Sequence, residues 1–429
     1  MEIKLKASKT RPWLICAICC LIFLFSNGVV SSSFNTTMAY IKDEFQLSAS
    51  QASMVTSMRS LTASFCLAFL LLGYKGKISI KPVILIALVS AIAAWIVFAN
   101  AKDYKMLIVG SLLLGICFGF AGGSVITPII RNWFITHRAF ALGIVTASTG
   151  LANIIFPQFI KLVVASYSLQ TVFYCIAGMF AVTLLIAIFF LHEEPVKVGY
   201  YPLGGENLAS QGENNAPVVF KENSEYAPDW KCQVFMVIFI FCLSMFNYSA
   251  WANFTLLFTG VGWEKADVAN LMSMCGLFLM ITKSGYGFIS DKFSVRKSGW
   301  VFFLACFVSM VLCGLFADVK NMALITAVFM IYCVGGIFSG VSLGVYAMEF
   351  STRENTKYLS AIYYLLFNVF NLITVNIMGA IAEHNNGDYR PAYLVCAGLT
   401  VVGFICVKLA YSISMNNKKK QIAQEAEKA

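Results

Sequence analysis

Long apolar runs recur along the chain, and they limit the possible folds more than any other feature. A run of about 20 apolar residues is what an α-helix needs to cross the hydrocarbon core of a bilayer. Hydrophobic residues make up 59% of the 429 and charged residues only 12%, which excludes a soluble globular fold. Apolar runs lie at 13–30, 50–73, 81–99, 105–130, 139–164, 169–191, 232–257, 267–289, 299–317, 321–347, 357–382 and 391–412. The sequence therefore predicts an all-α polytopic membrane protein with twelve transmembrane helices, which we call spans one to twelve.

Charges between the spans predict the orientation of the chain. One set of alternate loops and the segment after the last span are basic, with Lys75, Lys77, Lys81, Arg131, Arg138, Lys292, Arg296, Lys297, Arg353, Lys357, Lys418, Lys419 and Lys420. The opposite loops are acidic or mixed. Because cytoplasmic loops carry an excess of Lys and Arg, both termini are predicted to lie in the cytoplasm, in a multi-pass protein of the cell membrane. The net charge of +10 then reflects orientation in the lipid bilayer, so we expect no nucleic-acid partner, and we expect a monomer.

The sequence predicts neither a cofactor nor a metal site. The 14 cysteines lie almost wholly inside apolar runs, where they act as small packing residues without metal spacing or a disulfide framework. His137, His192 and His384 all lie in loops or at span ends. A membrane enzyme would need a convergent nucleophile and base or a metal cluster, so this class of protein is disfavoured.

A polar interval divides the chain into two halves. Residues 192–231 are rich in Gly, Asn, Glu and Pro, which is typical of a flexible cytoplasmic linker. We therefore predict six-helix bundles at 1–191 and 232–414 and a cytoplasmic tail at 415–429. Stripes of small residues, which let helices approach closely, recur in spans four and ten: Gly115, Gly119 and Gly123; Gly336, Gly340 and Gly344. Such a repeat is expected of a transporter whose halves rock around a central site.

One lysine, Lys283, lies inside the apolar helix of span eight. Small residues share its stripe at helical spacing, including Gly276 and Gly287, while Leu277 and Ile281 lie on other faces. A charge inside a membrane span is costly and usually functional. We expect Lys283 to face packed helices or a cavity and to contact a substrate or ion, although its stem could also extend toward the headgroups.

A second embedded cation, Arg59, lies near the middle of span two. Its stripe is again small and polar, with Ala52, Thr56 and Ala63. Either direct contact with an anion or a tie between helices would account for it. No Asp or Glu lies in the middle of any predicted span. Two buried cations without a buried acid leave a positive interior that an anionic substrate would neutralise, and the usual carboxylate proton carrier is missing.

Two motifs resemble the major facilitator superfamily. The loop signature G-x-x-x-D-[RK]-x-x-x-[RK] is matched by Gly287, Asp291, Lys292 and Arg296. The segment 131–143, RNWFITHRAFALG, looks like the junction of helices four and five in the oxalate:formate antiporter and monocarboxylate transporter group. In that group, a cation four residues before the loop Gly of helix eight is thought to meet the substrate carboxylate.

The resemblance implies functional residues by position. It places Lys283 at the substrate carboxylate, and the loop residues, with Arg131 and Arg138, at the gate. It also implies the major facilitator fold. The chain departs from the group at Leu279, where an Asp is common, and at Asn35, where a Lys is common. Despite these two departures, the resemblance implies an organic anion as substrate.

Polar and aromatic residues on centre-facing spans complete the predicted site. Any single one could instead serve as helix-to-helix packing. The predicted substrate-binding residues besides Lys283 and Arg59 are Asn35, Asn247, Tyr248, Trp251, Tyr332, Tyr346, Tyr364, Asn368 and Asn371. The sequence thus predicts a transporter of a mono- or dicarboxylate, by exchange or uniport in preference to proton symport. Proton-coupled efflux of cationic drugs remains the alternative.

Overall fold

The structure, a computed structural model, describes residues 6, 8–32, 34–47, 49–75, 78–205, 229–335, 341–352 and 355–428. Helices occupy all twelve predicted intervals, and the described residues form no β-strand. Among these residues, ten segments are long and apolar enough to cross a membrane. The other two predicted spans are the long helix Lys265–Phe293 and the short apolar helix Met322–Gly335 with its continuation. The predicted all-α polytopic fold is confirmed.

The first compact unit comprises Met1–Phe220 with Ser360–Ile362. It contains six spans, and two of them are irregular, since span one includes a π-helical segment and span four is broken into two helices. The helices are Thr10–Phe23, the π-helix Leu24–Ser32 and Phe34–Glu44 for span one, Ala49–Lys75, Ile80–Ala99, Tyr104–Phe120 with Gly123–Trp133 for span four, Arg138–Ser166 and Leu169–Phe190.

The second compact unit comprises Lys221–Leu359 with Tyr363–Ala429. It repeats both irregularities, because span seven contains a π-helical segment and span ten consists of two helices. The helices are Trp230–Leu243, the π-helix Ser244–Ser249 and Ala250–Gly260 for span seven, Lys265–Phe293, Val295–Phe316, Met322–Gly335 with Ser342–Glu349 for span ten, Thr356–His384 and Arg390–Lys428.

Polar residues at the ends of the apolar runs determine where several helices begin. Asp103 accepts a hydrogen bond from the Met106 amide at 2.9 Å at the start of span four, and Asp229 accepts one from the Lys231 amide at 3.0 Å at the start of span seven. Such side chains satisfy amides that have no partner within the first turn.

The small-residue stripe of span four packs directly on span two. A Cβ added at Gly115 would lie 2.5 Å from the Arg59 carbonyl oxygen, and one added at Gly119 would lie 2.6 Å from Cys66 Cβ. Any larger side chain would push the two helices apart. Gly123 instead begins the second helix of span four, Gly344 lies in the second helix of span ten, and Gly336 and Gly340 lie outside the described residues.

Two segments differ from what the composition suggests. The start of the predicted linker, residues 192–205, follows a defined path along the first unit, with a short 3-10 turn at Val196–Val198. The last helix does not end near residue 414 but continues to Lys428. Its Lys, Gln, Glu and Ala residues favour helix, so the predicted tail continues the helix of span twelve.

Candidate functional site

The π-helical segment of span seven, Ser244–Ser249, is anchored by neighbouring helices. A π turn replaces the usual α-helical hydrogen bonds, and such turns are frequent at functional sites. The Tyr332 hydroxyl of span ten donates to the Asn247 carbonyl at 3.0 Å, and the Tyr393 hydroxyl of span twelve donates to the Ala250 carbonyl at 2.6 Å. Two tyrosines from different spans therefore hold this segment in place.

Hydroxyl groups join the same segment to span eleven. Ser244 Oγ donates to Asn371 Oδ1 at 2.6 Å and lies 2.6 Å from Thr374 Oγ1, which also accepts from Ser249 Oγ at 2.7 Å. Thr374 in turn donates to the Phe370 carbonyl at 2.9 Å. The network is fully buried apart from a small exposed fraction of Asn371, so it stabilises the contact between the two spans.

Asn247 supplies a buried hydrogen-bond donor. Its side chain is only 4% exposed, and within the described part of the chain its Nδ2 atom has no hydrogen-bond partner. Leaving such a group unpaired costs about 1–3 kcal/mol. Beside it, Trp251 stacks on Tyr332 with ring centroids 6.0 Å apart and planes 9° apart. Tyr248 is 41% exposed, and its ring meets Phe367 edge to face.

Lys283 lies on span eight next to the contact with span ten. Its neighbour Thr282 donates from Oγ1 to the Cys333 carbonyl at 3.0 Å, and Lys283 itself is half-buried and within electrostatic range of Cys333. Leu277 and Ile281, on other faces, are 46% and 62% exposed. Cys333 follows Tyr332 in the chain, and the Tyr332 hydroxyl bonds to the Asn247 carbonyl, so span ten contacts both span eight, beside Lys283, and span seven.

Arg59 contacts several other residues of the first unit. Its side chain is 6% exposed and donates from Nη1 to the carbonyl of Val30 in the π-helical segment of span one. Its guanidinium also lies 5.0 Å from the ring centroid of Phe34 and 5.9 Å from that of Phe118, distances at which cations attract aromatic rings. These contacts favour the helix tie over direct contact with an anion.

The remaining predicted residues are spread over both units. Tyr346 is buried, with its ring 5.4 Å from Phe239, and Tyr364 and Asn368 are half-buried on span eleven. Asn371 belongs to the hydroxyl network. Asn35 lies in the helix Phe34–Glu44, and its side chain is outside the described residues.

The predicted gate residues lie at helix ends. In the second unit, Gly287 is buried and Asp291 and Lys292 are exposed, all within the helix of span eight, while Arg296 lies next to Met415. Ser294, with φ of +68°, separates spans eight and nine. In the first unit, Arg131 is buried at the end of span four, and Arg138 is half-buried at the start of span five.

Sequence reasoning missed three hydroxyl residues, Ser244, Ser249 and Thr374. Each lies in an apolar span and resembles a small packing residue. The spacing of Ser244 and Ser249 carries a signal, since residues five apart share a face only where the helix is wound more loosely than an α-helix.

Two helical units with apolar spans and embedded cations define a polytopic membrane transporter. A family model described as Major Facilitator Superfamily matches residues 19–369 and 234–429. The chain belongs to this superfamily, whose members are transporters and not enzymes.

Similar proteins include carriers of several substrate types. Monocarboxylate transporter 12 of Rattus norvegicus is 22% identical over 443 residues, which cover 96% of this chain and 87% of that protein. Among solved structures, the proton:xylose symporter XylE matches with a TM-score of 0.73 and 12% identity over 92% of this chain and 95% of that one. FucP, in its outward conformation, matches with a TM-score of 0.69 and 15% identity over 92% of this chain and 98% of that one. The human organic anion transporter MFSD10 matches with a TM-score of 0.66 and 13% identity over 94% of this chain and 100% of that one. These structures support the fold.

Proposed function

We propose that this transporter carries a small organic anion, a mono- or dicarboxylate, by alternating access. The observation that carries the proposal is the presence, in one unit, of the half-buried Lys283 ammonium and the unpartnered Asn247 amide. A cation and a neutral donor together suit a ligand rich in acceptor oxygens. The name of one similar protein, a monocarboxylate transporter, agrees with this substrate class, while the solved structures, which include a proton:xylose symporter, support only the fold.

The aromatic and polar residues around Lys283 would form the walls of the site. Trp251 and Tyr332 offer stacked rings, while Asn371 and its hydroxyl neighbours support span seven from behind. We assign Arg59 a supporting role in the first unit, because its guanidinium is engaged with Val30 and two rings. The loop residues Gly287 to Arg296, with Arg131 and Arg138, would act at the gate.

Exchange or uniport is the proposed mode of transport. Proton symport commonly uses a carboxylate buried within a span, and the sequence has no Asp or Glu in the middle of any span. We also place both termini in the cytoplasm and the protein in the cell membrane, from the distribution of Lys and Arg between the loops.

Counterflow in proteoliposomes tests the proposal. Labelled formate, lactate, pyruvate, oxalate, succinate and aromatic carboxylates would be offered with and without a proton gradient. A charge-assisted hydrogen bond contributes about 1.5–3 kcal/mol, so Lys283→Gln should lower transport efficiency by about 10- to 150-fold. Lys283→Arg keeps the charge and should retain part of the activity.

Lys161→Gln is the matched control, since Lys161 is an exposed lysine of span five. It should leave transport unchanged, and all variants should reach the membrane in equal amounts. Unchanged exchange in Lys283→Gln would contradict the assignment of this residue. Strict dependence on a proton gradient would contradict the proposed mode.

A further inference from the structure

The start of the predicted linker is fastened to the junction between spans four and five. We call residues 192–205 the clasp. The indole Nε1 of Trp133 donates to the His192 carbonyl at 2.7 Å, the Leu203 amide donates to the Trp133 carbonyl at 2.9 Å, and the Ile135 amide donates to the Leu203 carbonyl at 2.9 Å. These three bonds, two of them between backbone groups, fix the path of both segments.

The clasp also binds the start of the chain. The Lys6 amide donates to the Gly199 carbonyl at 2.8 Å, and the Tyr201 amide donates to the Lys6 carbonyl at 3.1 Å. The guanidinium of Arg11 lies 5.3 Å from the ring centroid of Tyr200. Three segments that are distant in sequence therefore meet at the clasp.

Glu193 connects the clasp to span three. Its Oε1 atom accepts hydrogen bonds from the Ser79 hydroxyl and the Lys81 amide, where the helix Ile80–Ala99 begins. Ser79 precedes that helix, but its side chain makes no capping bond to it. A carboxylate satisfies the first amides of a helix and interacts favourably with the helix dipole. Glu193 thus caps a helix that lies far from it in the chain.

The surroundings of Glu193 carry positive charge. Burial, with further contributions from Lys81 and Arg11, lowers the pKa of His192. Lys81 also donates from Nζ to the Ile188 carbonyl at 2.7 Å, at the end of span six. The acidic side chain of Glu193 compensates for the cations gathered here.

A glycine closes the clasp. Gly204 has φ of +86°, and a Cβ at this position would lie 2.7 Å from Thr136 Cγ2. Glycine adopts this backbone conformation without a steric penalty, and it also allows the close approach to Thr136. Any other residue would strain the turn and push the clasp away from the junction.

We propose that the clasp is a releasable fastening that joins the ends of spans three, four and six, together with Lys6 and Arg11, into one cooperative block, with Glu193 as the residue that holds it closed. The block includes Trp133 and Phe134, the aromatic pair of the junction between spans four and five, since Phe134 is bridged to Leu203. While it is closed, these ends move together during the transport cycle. Release of Glu193 frees the linker.

Hydrogen exchange of the purified full-length protein tests cooperativity without any substrate. In Glu193→Gln, the amides of Ile135, Tyr201 and Leu203 should all exchange at least tenfold faster, although none is bonded to Glu193 itself. Amides in the middle of span three should keep their protection, which distinguishes release from unfolding. Trypsin should also cleave after Lys197 several-fold faster.

The neighbouring acid provides the matched control. Glu194 pairs with Lys197 at 3.0 Å on the exposed side of the clasp, so Glu194→Gln should exchange like the wild type. Gly204→Ala should reproduce the release by strain alone. Faster exchange confined to residues 79–81 and 193 would overturn the proposal.

Transport provides the functional measurement. Glu193→Gln should lower the turnover of counterflow several-fold and leave KM unchanged, because none of the proposed substrate-binding residues belongs to the clasp. A released clasp with wild-type turnover would show that the block does not move as one during transport, and it would overturn that part of the proposal. This test is separate from the assignment of Lys283, which is tested by the variants Lys283→Gln and Lys283→Arg.

Discussion

The π-helical segments of spans one and seven occupy corresponding places in the two units, but they are held by different chemistry. The segment Leu24–Ser32 is tied by a cation in addition to a hydroxyl group, since Arg59 donates to Val30 and Ser26 donates to the Ala121 carbonyl at 2.8 Å, and Gly28 packs closely on span five. The segment Ser244–Ser249 is held by neutral hydroxyl groups.

From this difference we infer that the first segment has a structural role and that the second contributes to substrate binding. In the first unit, charge and close packing fasten the segment, and its cation is already engaged. In the second unit, the segment is anchored by hydroxyl groups, and it contains the unpartnered amide of Asn247 and the exposed ring of Tyr248. A few polar groups placed in an otherwise apolar pocket are typical of ligand sites, and on this ground we propose the second unit as the place where the substrate binds.

Replacing Arg59 tests the tie in the first unit and should have the largest effect. Arg59→Met strands the Val30 carbonyl, and a hydrogen bond from a charged group contributes about 1.5–3 kcal/mol. We expect the free energy of unfolding to fall by up to about 3 kcal/mol, measured as a lower Tm in detergent. Arg59→Lys should have a Tm between those of the wild type and Arg59→Met. A variant with wild-type Tm but no transport would instead make Arg59 a substrate ligand and remove the contrast.

Gly28 tests the close packing of the same segment. A Cβ at this position would lie 2.4 Å from Ala152 Cβ, and overpacking of this kind costs about 1–3 kcal/mol. Gly28→Ala should therefore lower Tm. Gly178→Ala in span six is the control, because nothing lies within 4 Å of its added Cβ. Equal Tm values for the two variants would contradict the role of packing.

Thr374 tests the neutral network and should have the smallest effect of the three. Thr374→Val removes the acceptor for Ser249 and the neighbour of Ser244, at a cost of about 1–2 kcal/mol. Thr146→Val is the control, since among the described residues this buried hydroxyl donates to carbonyls of its own helix, those of Leu142 at 3.0 Å and Gly143 at 3.1 Å. If Thr374→Val is no more destabilising than the control, the network does not anchor span seven.

Apolar run length predicted the helices well. It placed all twelve intervals, and the small-residue stripe predicted close helix packing at Gly115 and Gly119, although not that span two is the partner. The inward position of Arg59 followed from its small and polar stripe. These features depend on local composition and helical spacing, which a single sequence contains.

Features that depend on distant partners could not be predicted. The carbonyls freed by the π turns bond to Tyr332 and Arg59, which lie on other spans, so local sequence does not reveal the turns. Composition also does not distinguish the bonded hydroxyls of Ser244 and Thr374 from ordinary packing residues. The clasp was predicted to be flexible for the same reason. Its Gly and Pro residues are typical of linkers, while the capping of span three by Glu193 depends on a contact 112 residues away in the chain.

The π turns also bear on how the protein can change during evolution. A π turn holds one residue more than an α turn, and one residue rotates everything beyond it by about 100°. Single-residue insertions or deletions in spans one and seven can therefore be absorbed at these segments, where Arg59 and Tyr332 accommodate the displaced carbonyls. Elsewhere in these spans, the same change would rotate the residues beyond it away from the helices that they pack against.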